Sequence, residues 1–225
     1  RGKGYYGEYL LFTNLYKHIP GTCKLMMNLH IPTSNGRTTE IDAIMIHETG
    51  IYVFEIKHYK GTIYGKNTDN KWTQYFRTAP NNYFLNPVKQ NQYHIDALQR
   101  LYPGIKMYSY VVFTNSECDL RIKNNDPNLT ICKMENLFLE LRKNVKKSPM
   151  LDIEEIDEIF KGLIPYSPIE QKFITEEISH TEEVSINKYI NFAIKEIDDY
   201  KLELKNNYRS IIIIMAIIIL FLIIF

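Results

Sequence analysis

Two acidic residues and one lysine lie on two neighbouring hydrophobic segments of the chain. Asp42 belongs to the first segment, residues 41–47, and Glu55 and Lys57 belong to the second, residues 51–57. Both segments have the composition of β-strands, and the short stretch between them predicts a turn. If the strands pair antiparallel, Asp42 lies opposite Glu55, and Lys57 shares their face because side chains alternate along a strand. Directly opposed residues have Cβ atoms about 4.5–5.5 Å apart, so this pattern brings two carboxylates together.

Two neighbouring carboxylates favour a divalent cation, because like charges repel one another and resist removal from water. Mg²⁺ prefers oxygen ligands and is commonly held by one or two carboxylates together with waters and a substrate phosphate. Mn²⁺ accepts the same ligands. Such an ion lowers the pKa of water and neutralises charge that develops on a phosphoryl oxygen. Lys57 would orient or help to deprotonate the attacking water, or would stabilise the transition state.

The same residues also fit a simpler interpretation, in which Glu40 or Asp42 pairs with Lys57 in a solvated ladder of ion pairs. Hydrophobic residues on both faces of the two strands argue against it, since strands covered on both sides are typical of a buried sheet. One predicted face carries Ile44, Ile46, Ile51 and Val53, and the other carries Ile41, Ala43, Met45, Tyr52, Phe54 and Ile56.

The rest of the pattern indicates an α/β domain on a mixed sheet. Asn35-Gly36 predicts a turn, and Asn86-Pro87 predicts the N-cap and first position of a helix that ends near Leu101. Asp152 predicts the cap of a later helix. Further helices are expected over residues 7–17 and 135–144, and further strands over residues 62–64, 106–113 and 129–132.

Several short motifs, in this order, resemble the nuclease-related domain (NERD) family. They are Gly4-Tyr5-Tyr6-Gly7-Glu8, Thr39-Glu40-Ile41-Asp42, Gly50-Ile51-Tyr52-Val53-Phe54-Glu55-Ile56-Lys57, Gly61, Trp72 and Asn86-Pro87-Val88-Lys89-Gln90. The resemblance covers roughly residues 1–115, and the family is placed in the PD-(D/E)xK nuclease superfamily. It implies a restriction-endonuclease-like α/β fold with a central mixed four-stranded sheet flanked by helices.

The resemblance also implies roles for individual residues. Asp42 and Glu55 would bind the metal, the carbonyl of Ile56 would be a further ligand, and Lys57 would be catalytic. The proline that usually precedes the first acid is absent, since Ile41 precedes Asp42.

Two further polar residues match family positions. Glu8 lies on the first predicted helix and would point at the metal; the alternative is an ordinary first-turn glutamate that favours the helix dipole. Gln90 lies one turn before His94 and would hold a phosphate or a water; the alternative is an exposed helix residue. His58 and His94 lack the paired spacing of zinc ligands and are expected to be polar surface or rim residues.

A basic and aromatic stretch follows the second strand and suits phosphate contact and base stacking. The candidate nucleic-acid contacts are Lys60, Lys66, Lys71 and Arg77, among the aromatic residues Tyr59, Tyr64, Trp72, Tyr75 and Phe76. The alternative is a solvated loop over a buried tryptophan, and Trp72 itself is expected in the core.

Composition divides the chain into a basic and an acidic part. Residues 1–150 contain 20 Lys and Arg against 12 Asp and Glu, whereas residues 151–204 contain 5 against 14. The basic part suits a polyanionic ligand. Hydrophobic residues at 45% and charged residues at 24% exclude a disordered chain and a polytopic membrane protein. Three widely spaced cysteines exclude a disulfide framework and suit a reducing compartment.

The pattern predicts three parts: a nuclease-like domain over residues 1–145, a helical stalk or packing region over 146–209, and a transmembrane segment over 210–225. Residues 211–225 are uniformly apolar, which favours a single-pass anchor over a buried core helix. Lys205 and Arg209 precede that segment and favour a cytoplasmic position for the domain.

Three functions remain open on the sequence. The first is a membrane-anchored, Mg²⁺-dependent nuclease, with DNA favoured over RNA as substrate. The second is an inactive nuclease-fold module that binds nucleic acid or a partner protein at the membrane. The third is a structural membrane protein whose basic half contacts anionic lipid.

Overall fold

The computed structural model describes residues 7, 8, 10–15, 19 and 21–167. These residues belong to one compact unit of the chain. The predicted anchor, residues 210–225, and most of the predicted stalk lie outside the described residues. Within the described ranges, no helix has the length and hydrophobicity that crossing a membrane requires.

The described residues form nine strands and four α-helices. In chain order these are α1 (residues 7–15, of which residue 9 is not described), β1 (Cys23–Pro32), β2 (Thr38–His47), β3 (Gly50–Lys57), β4 (Gly61–Lys66), β5 (Lys71–Tyr75), β6 (Asn82–Leu85), α2 (Pro87–Leu101), β7 (Met107–Phe113), β8 (Cys118–Lys123), β9 (Leu129–Lys133), α3 (Leu137–Val145) and α4 (Ile153–Leu163).

Two sheets form the framework of the domain. The first has five strands in the order β1-β2-β3-β7-β9, and the second has four in the order β6-β5-β4-β8. The strands β1, β2 and β3 pair antiparallel, while β7 and β9 pair parallel to their neighbours. The α/β class is confirmed. The predicted central sheet of four strands is corrected to a sheet of five with a second sheet beside it.

The main core lies between one face of the first sheet and two helices. Ile44, Ile46 and Val53 are fully buried there, together with Leu98 of α2 and Ile156 of α4. Helix α4 begins with the predicted cap, because Asp152 accepts the backbone N–H of Glu155 and Glu155 accepts that of Asp152. This capping box satisfies two donors at the helix start and fixes where α4 begins.

Aromatic side chains fill the opposite face of the first sheet. Tyr52 and Phe54 of β3 contact Tyr110 of β7, with ring centroids 5.8 and 5.5 Å from its ring. The hydroxyl of Tyr110 accepts a hydrogen bond from Asn144 of α3 at 2.9 Å. Both faces of β3 are therefore buried, as the sequence predicts for the strand that carries Glu55.

The alternation of side chains is interrupted at one point in β1 and β2. Asn28 adopts a left-handed conformation with φ of 55°, between the pairs Met27–Ala43 and Leu29–Ile41. Beyond this point the inward and outward positions exchange, so Ile41 joins the same core as Ile44. The prediction that Ile41 lies on the opposite face is therefore wrong, because the strict alternation of side chains on β2 is broken between Ile41 and Ile44, opposite Asn28 of β1.

Asn86 joins the second sheet to helix α2. Its side-chain oxygen accepts the backbone N–H of Val88 and caps the helix, as predicted. Its amide nitrogen donates to the carbonyl oxygens of Asn67 and Asp69 in the β4–β5 turn, at 3.0 and 2.7 Å. The orientation of α2 is thereby tied to the second sheet.

Candidate active site

The end of the β2–β3 ladder positions the two predicted acids. The predicted register is confirmed as far as the pair Ala43–Phe54. One residue further on, the carboxylate of Asp42 replaces a backbone partner: its Oδ2 accepts the N–H of Ile56 at 2.7 Å. This hydrogen bond holds the Asp42 carboxylate against β3, at the residue that directly follows Glu55.

Glu55 is a buried carboxylate with a cation on one oxygen and an imidazole on the other. Only 3% of its surface is exposed. The Nζ atom of Lys57 lies 2.5 Å from Oε1, and Nε2 of His94 lies 3.0 Å from Oε2. Each carboxylate oxygen has two acceptor positions, so these contacts leave Glu55 capacity for a further ligand.

His94 is part of this site, and the prediction of a surface or rim residue is wrong. It lies on the inner face of α2 with 6% of its surface exposed, and its Nδ1 lies 2.8 Å from the hydroxyl of Thr39. The signal was present in the sequence, since Pro87, Asn91, His94 and Leu98 recur at helical spacing and all are buried. His58, in contrast, is half-buried and bonds to Thr114, which suits a rim position.

The charges of this cluster shift one another. Burial and the charge of Glu55 raise the pKa of Asp42 well above its usual value. Burial would also raise the pKa of Glu55, but the hydrogen bond from His94 and the charge of Lys57 outweigh it and lower that pKa. Burial works against the charge of Lys57, yet attraction to Glu55 raises the lysine pKa, so Lys57 is protonated at neutral pH.

Glu8 joins the same cluster from helix α1. Burial and the charges of Glu40 and Glu55 raise its pKa to about 7, although a hydrogen bond from Asn28 works in the opposite direction. Gly7 permits this close approach, because a Cβ there would lie 2.8 Å from the Thr114 hydroxyl. The described residues Gly7 and Glu8 of α1 thus lie against the end of β3, with Glu8 close to the two acids.

The other predicted catalytic residue, Gln90, is half-buried in the first turn of α2. Its neighbour Asn91 is fully buried and donates to the carbonyl oxygen of Val53 at 3.0 Å and to the Ser109 hydroxyl at 2.9 Å. Asn91 therefore anchors α2 to β3 and β7, and this fixes His94 one turn later.

The four predicted phosphate contacts are exposed side chains in or near the second sheet. They are Lys60, Lys66, Lys71 and Arg77. Trp72 is fully buried, as expected, and its indole N–H donates to the carbonyl of Lys66 at 2.9 Å. Of the interleaved aromatic residues, Tyr64 and Tyr75 are exposed, whereas Tyr59 packs against the core beside Phe84.

The donor chemistry of the cluster fits a divalent cation. Together with burial, the charge of Glu55 raises the pKa values of Glu8 and Asp42, and the charge of Glu8 also raises that of Asp42, so the three carboxylates lie close together, with Lys57 as the neighbouring cation. Among the described residues, no group of three or more His, Cys, Asp or Glu side chains is arranged so that it could hold a metal ion. The Asp42–Glu55 pair is therefore the candidate, since Mg²⁺ commonly takes two carboxylates and fills its other positions with water.

Residues 3–114 match the family model of the nuclease-related domain, NERD. The chain contains a nuclease-related domain. The match includes every residue of the cluster, from Glu8 on α1 to His94 on α2. The match ends just after β7 and covers four of the five strands of the first sheet, β1, β2, β3 and β7. Strands β8 and β9 and helices α3 and α4 follow it.

One curated relative extends beyond the NERD match. The chain is 38% identical over 127 residues to an uncharacterized protein of Bacillus anthracis, which is 54% of this chain and 57% of the relative. The chain therefore matches a little over half the length of that relative. No solved structure matches the chain.

Proposed function

We propose that this chain hydrolyses phosphodiester bonds of nucleic acid through its NERD domain, with Mg²⁺ as the cofactor and with DNA favoured over RNA. The observation that carries the proposal is the buried Glu55, paired with Lys57 on one oxygen and with His94 on the other, beside the Asp42 carboxylate. A buried acid held by two partners next to a second acid of raised pKa is typical of a functional site.

Asp42 and Glu55 would hold the cation, with the Ile56 carbonyl as a further ligand and Glu8 nearby. The cation would supply Lewis-acid charge to a phosphodiester and lower the pKa of a water. The protein's contribution is to keep these acids in place. The Ile56 N–H orients Asp42, and His94 with Lys57 orients Glu55.

Lys57 serves as a fixed positive charge in this proposal. Its raised pKa keeps the ammonium protonated at neutral pH, which makes it a poor base. A protonated lysine next to the scissile phosphate stabilises the charge that develops in the transition state. Of the roles considered for Lys57, charge stabilisation is the one that its pairing with Glu55 supports.

Attachment to a membrane through residues 210–225 remains a prediction from the sequence. Lys205 and Arg209 favour a cytoplasmic position for the NERD domain on the same basis.

The test is cleavage by the full chain of labelled single-stranded and duplex DNA and RNA, with Mg²⁺ and with chelator. Cleavage should require Mg²⁺ or Mn²⁺. Glu55→Gln and Lys57→Ala should each lower the cleavage rate at least about a hundredfold, because removal of a preorganised electrostatic group commonly costs that much. Glu158→Gln and Lys146→Ala, both exposed, are matched controls and should cleave at the rate of the unaltered chain.

Thermal unfolding of each variant distinguishes lost chemistry from lost folding. Equal cleavage by Glu55→Gln, Lys57→Ala and the unaltered chain would contradict the proposal. Retained nucleic-acid binding with no Mg²⁺ or Mn²⁺ binding in calorimetry would instead identify an inactive binding module.

A further inference from the structure

The second sheet has one buried face and one exposed face. Ile63, Trp72 and Cys118 point inward and pack against Val111 and Phe113 of the first sheet. The outward positions alternate with them along every strand, as in a sheet covered on one side. No described helix or strand packs on the outward side in the way that α2 and α4 cover the first sheet.

Three tyrosines stand on this exposed face. Tyr64 of β4, Tyr75 of β5 and Tyr83 of β6 are 47%, 43% and 64% exposed. Tyr64 and Tyr83 are both paired with Thr73, one from each side, so they lie in one row across three strands. The ring of Tyr75 is 6.3 Å from that of Tyr64. Large aromatic rings that are exposed together in one patch of a protein surface are unusual, and such patches are typical of binding sites.

A row of lysines lies beside the row of tyrosines. Lys66 of β4 is directly paired with Lys123 of β8, and Lys71 begins β5 on the other side of the β4–β5 turn. All three are exposed. Directly opposed like charges destabilise a sheet, so the domain retains this pair at a cost that a bound polyanion would offset.

The acids near this face offset only part of the charge of the three lysines. Asp119 forms an ion pair with Arg121 on the same strand, at 2.9 Å. Asp69 lies in the β4–β5 turn, where its carboxylate accepts the backbone N–H of Lys66. Positive charge therefore exceeds negative charge along one side of the tyrosines.

We propose that the exposed face of the second sheet binds single-stranded nucleic acid, with bases stacked on Tyr64, Tyr75 and Tyr83 and phosphates along Lys66, Lys71 and Lys123. The inference deepens the proposed nuclease function, on which it rests, by naming the substrate class. A duplex keeps its base faces stacked inside the helix, whereas an unpaired strand presents them to aromatic side chains. Charge alone would suit either form, and the tyrosines favour the single strand.

The experiment measures binding by the full chain with chelator present, so that cleavage plays no part. Fluorescence anisotropy compares labelled oligothymidine, oligouridine and a mixed-sequence duplex of equal length, each over a range of salt concentrations. Both single strands should bind more tightly than the duplex, and their comparison shows whether DNA or RNA is preferred. Lys66→Ala should reduce the slope of log affinity against log salt by about 0.7.

Variants of the tyrosines test the stacking. Tyr83→Ala and Tyr64→Ala should each weaken single-strand binding about fivefold to a hundredfold, and Tyr64→Phe should retain most of the affinity because its ring remains. Tyr93→Ala is the matched control, since Tyr93 is 69% exposed but lies on α2. Circular dichroism of each variant checks that the sheet is intact.

Three results would overturn the proposal. One is single-strand binding that is unchanged in Tyr64→Ala and Tyr83→Ala. Another is loss of binding to phosphatidylserine vesicles in those variants while oligonucleotide binding persists. The third is a difference in oligomeric state, measured by sedimentation, between the unaltered chain and the variants Tyr64→Ala and Tyr83→Ala. That result would identify the face as a contact between copies of the chain. Absence of cleavage with Mg²⁺, in contrast, would contradict the nuclease function and leave this binding test unaffected.

Discussion

His94 bridges Glu55 and Thr39 at the centre of the candidate site. Its Nε2 lies 3.0 Å from the Glu55 carboxylate, and its Nδ1 lies 2.8 Å from the Thr39 hydroxyl. An ionised carboxylate can only accept, so Nε2 carries the proton of that hydrogen bond. In neutral His94 the Thr39 hydroxyl then donates to Nδ1. Two strands and one helix thus fix the orientation of a single carboxylate.

Removal of the His94 imidazole should therefore weaken the site without removing a proposed metal ligand. We expect His94→Ala to lower cleavage or Mg²⁺ affinity about tenfold to a hundredfold, as is common when the partner of a ligand is lost. Cleavage rates and Mg²⁺ titrations measure the effect. His30→Ala, which alters an exposed histidine on β1, serves as the control. A His94→Ala variant with unaltered rate and unaltered Mg²⁺ affinity would contradict this role.

Glu8 should make the stability of the metal-free protein depend on pH. Its pKa is about 7 in the folded chain against an ordinary value of 4.5, so between these pH values the folded state keeps a proton that the unfolded state has lost. Stability therefore falls as the pH rises through this window. We expect Glu8→Gln to unfold at a higher temperature than the unaltered chain, by a margin that grows from pH 4.5 to 7.

The measurement is thermal unfolding with chelator across that range, compared with the exposed control Glu117→Gln. If the margin between Glu8→Gln and the unaltered chain stays constant with pH, the raised pKa of Glu8 is wrong.

Gly65 should be essential for the packing of Trp72. A Cβ at Gly65 would lie 2.3 Å from the Trp72 ring, and that ring is fully buried and stacked on Phe113 at 11°. The indole has no free direction in which to move, so Gly65→Ala should lower the free energy of unfolding by about 1–3 kcal/mol or more. Urea unfolding followed by tryptophan fluorescence measures this.

Gly36→Asn provides the comparison for Gly65→Ala. Gly36 has a φ of 75° with open space around its Cβ position, and asparagine tolerates that conformation. We expect Gly36→Asn to change stability little. Equal effects of the two substitutions would mean that the Trp72 ring can shift.

The three cysteines should differ in reactivity. Burial raises the pKa of the Cys118 thiol to about 11 and that of Cys132 to about 12, while Cys23 is only half-buried with a smaller rise in pKa. Since the thiolate is the reactive form, a thiol reagent at neutral pH should modify Cys23 first. Peptide mass mapping after timed labelling measures the order, and Cys23→Ser should remove the fast reaction. Equal rates at all three thiols of the folded chain would contradict it.

The sequence was sufficient for the hairpin that carries the acids. Alternating hydrophobic residues predicted β2 and β3 and their register, and Asn86-Pro87 predicted the start of α2, because both signals depend on neighbouring residues alone. Strand β1 was not predicted, since its Leu-Met-Met run has no β-branched residue and leucine and methionine favour helices. Strands β5 and β6 were hidden in a polar stretch because only one face of their sheet is buried.

The parts of the site that escaped prediction depend on long-range contacts. Strict alternation places Ile41 on the wrong face, because the alternation on β2 breaks opposite the left-handed Asn28 of β1, a strand that the sequence pattern does not reveal. His94 was placed at the surface because its partner Glu55 is 39 residues away. Helical periodicity places a histidine on an inner face, but only the fold reveals which acid it meets.

Both sheets are completed by strands that follow the NERD match. The match ends at residue 114. Strand β8, which pairs with β4, and strand β9, which pairs with β7, both lie beyond that residue. A polypeptide released at residue 114 would expose β4 and β7 as unpaired edges, and such edges recruit other chains. During synthesis, the second sheet lacks its last strand until residue 123 has been made, and the first sheet lacks its last strand until residue 133, so the acids of β2 and β3 are made well before the strands that complete the two sheets. Truncation at residue 114 should therefore yield aggregate, whereas a chain that retains α4 should remain soluble long enough to fold.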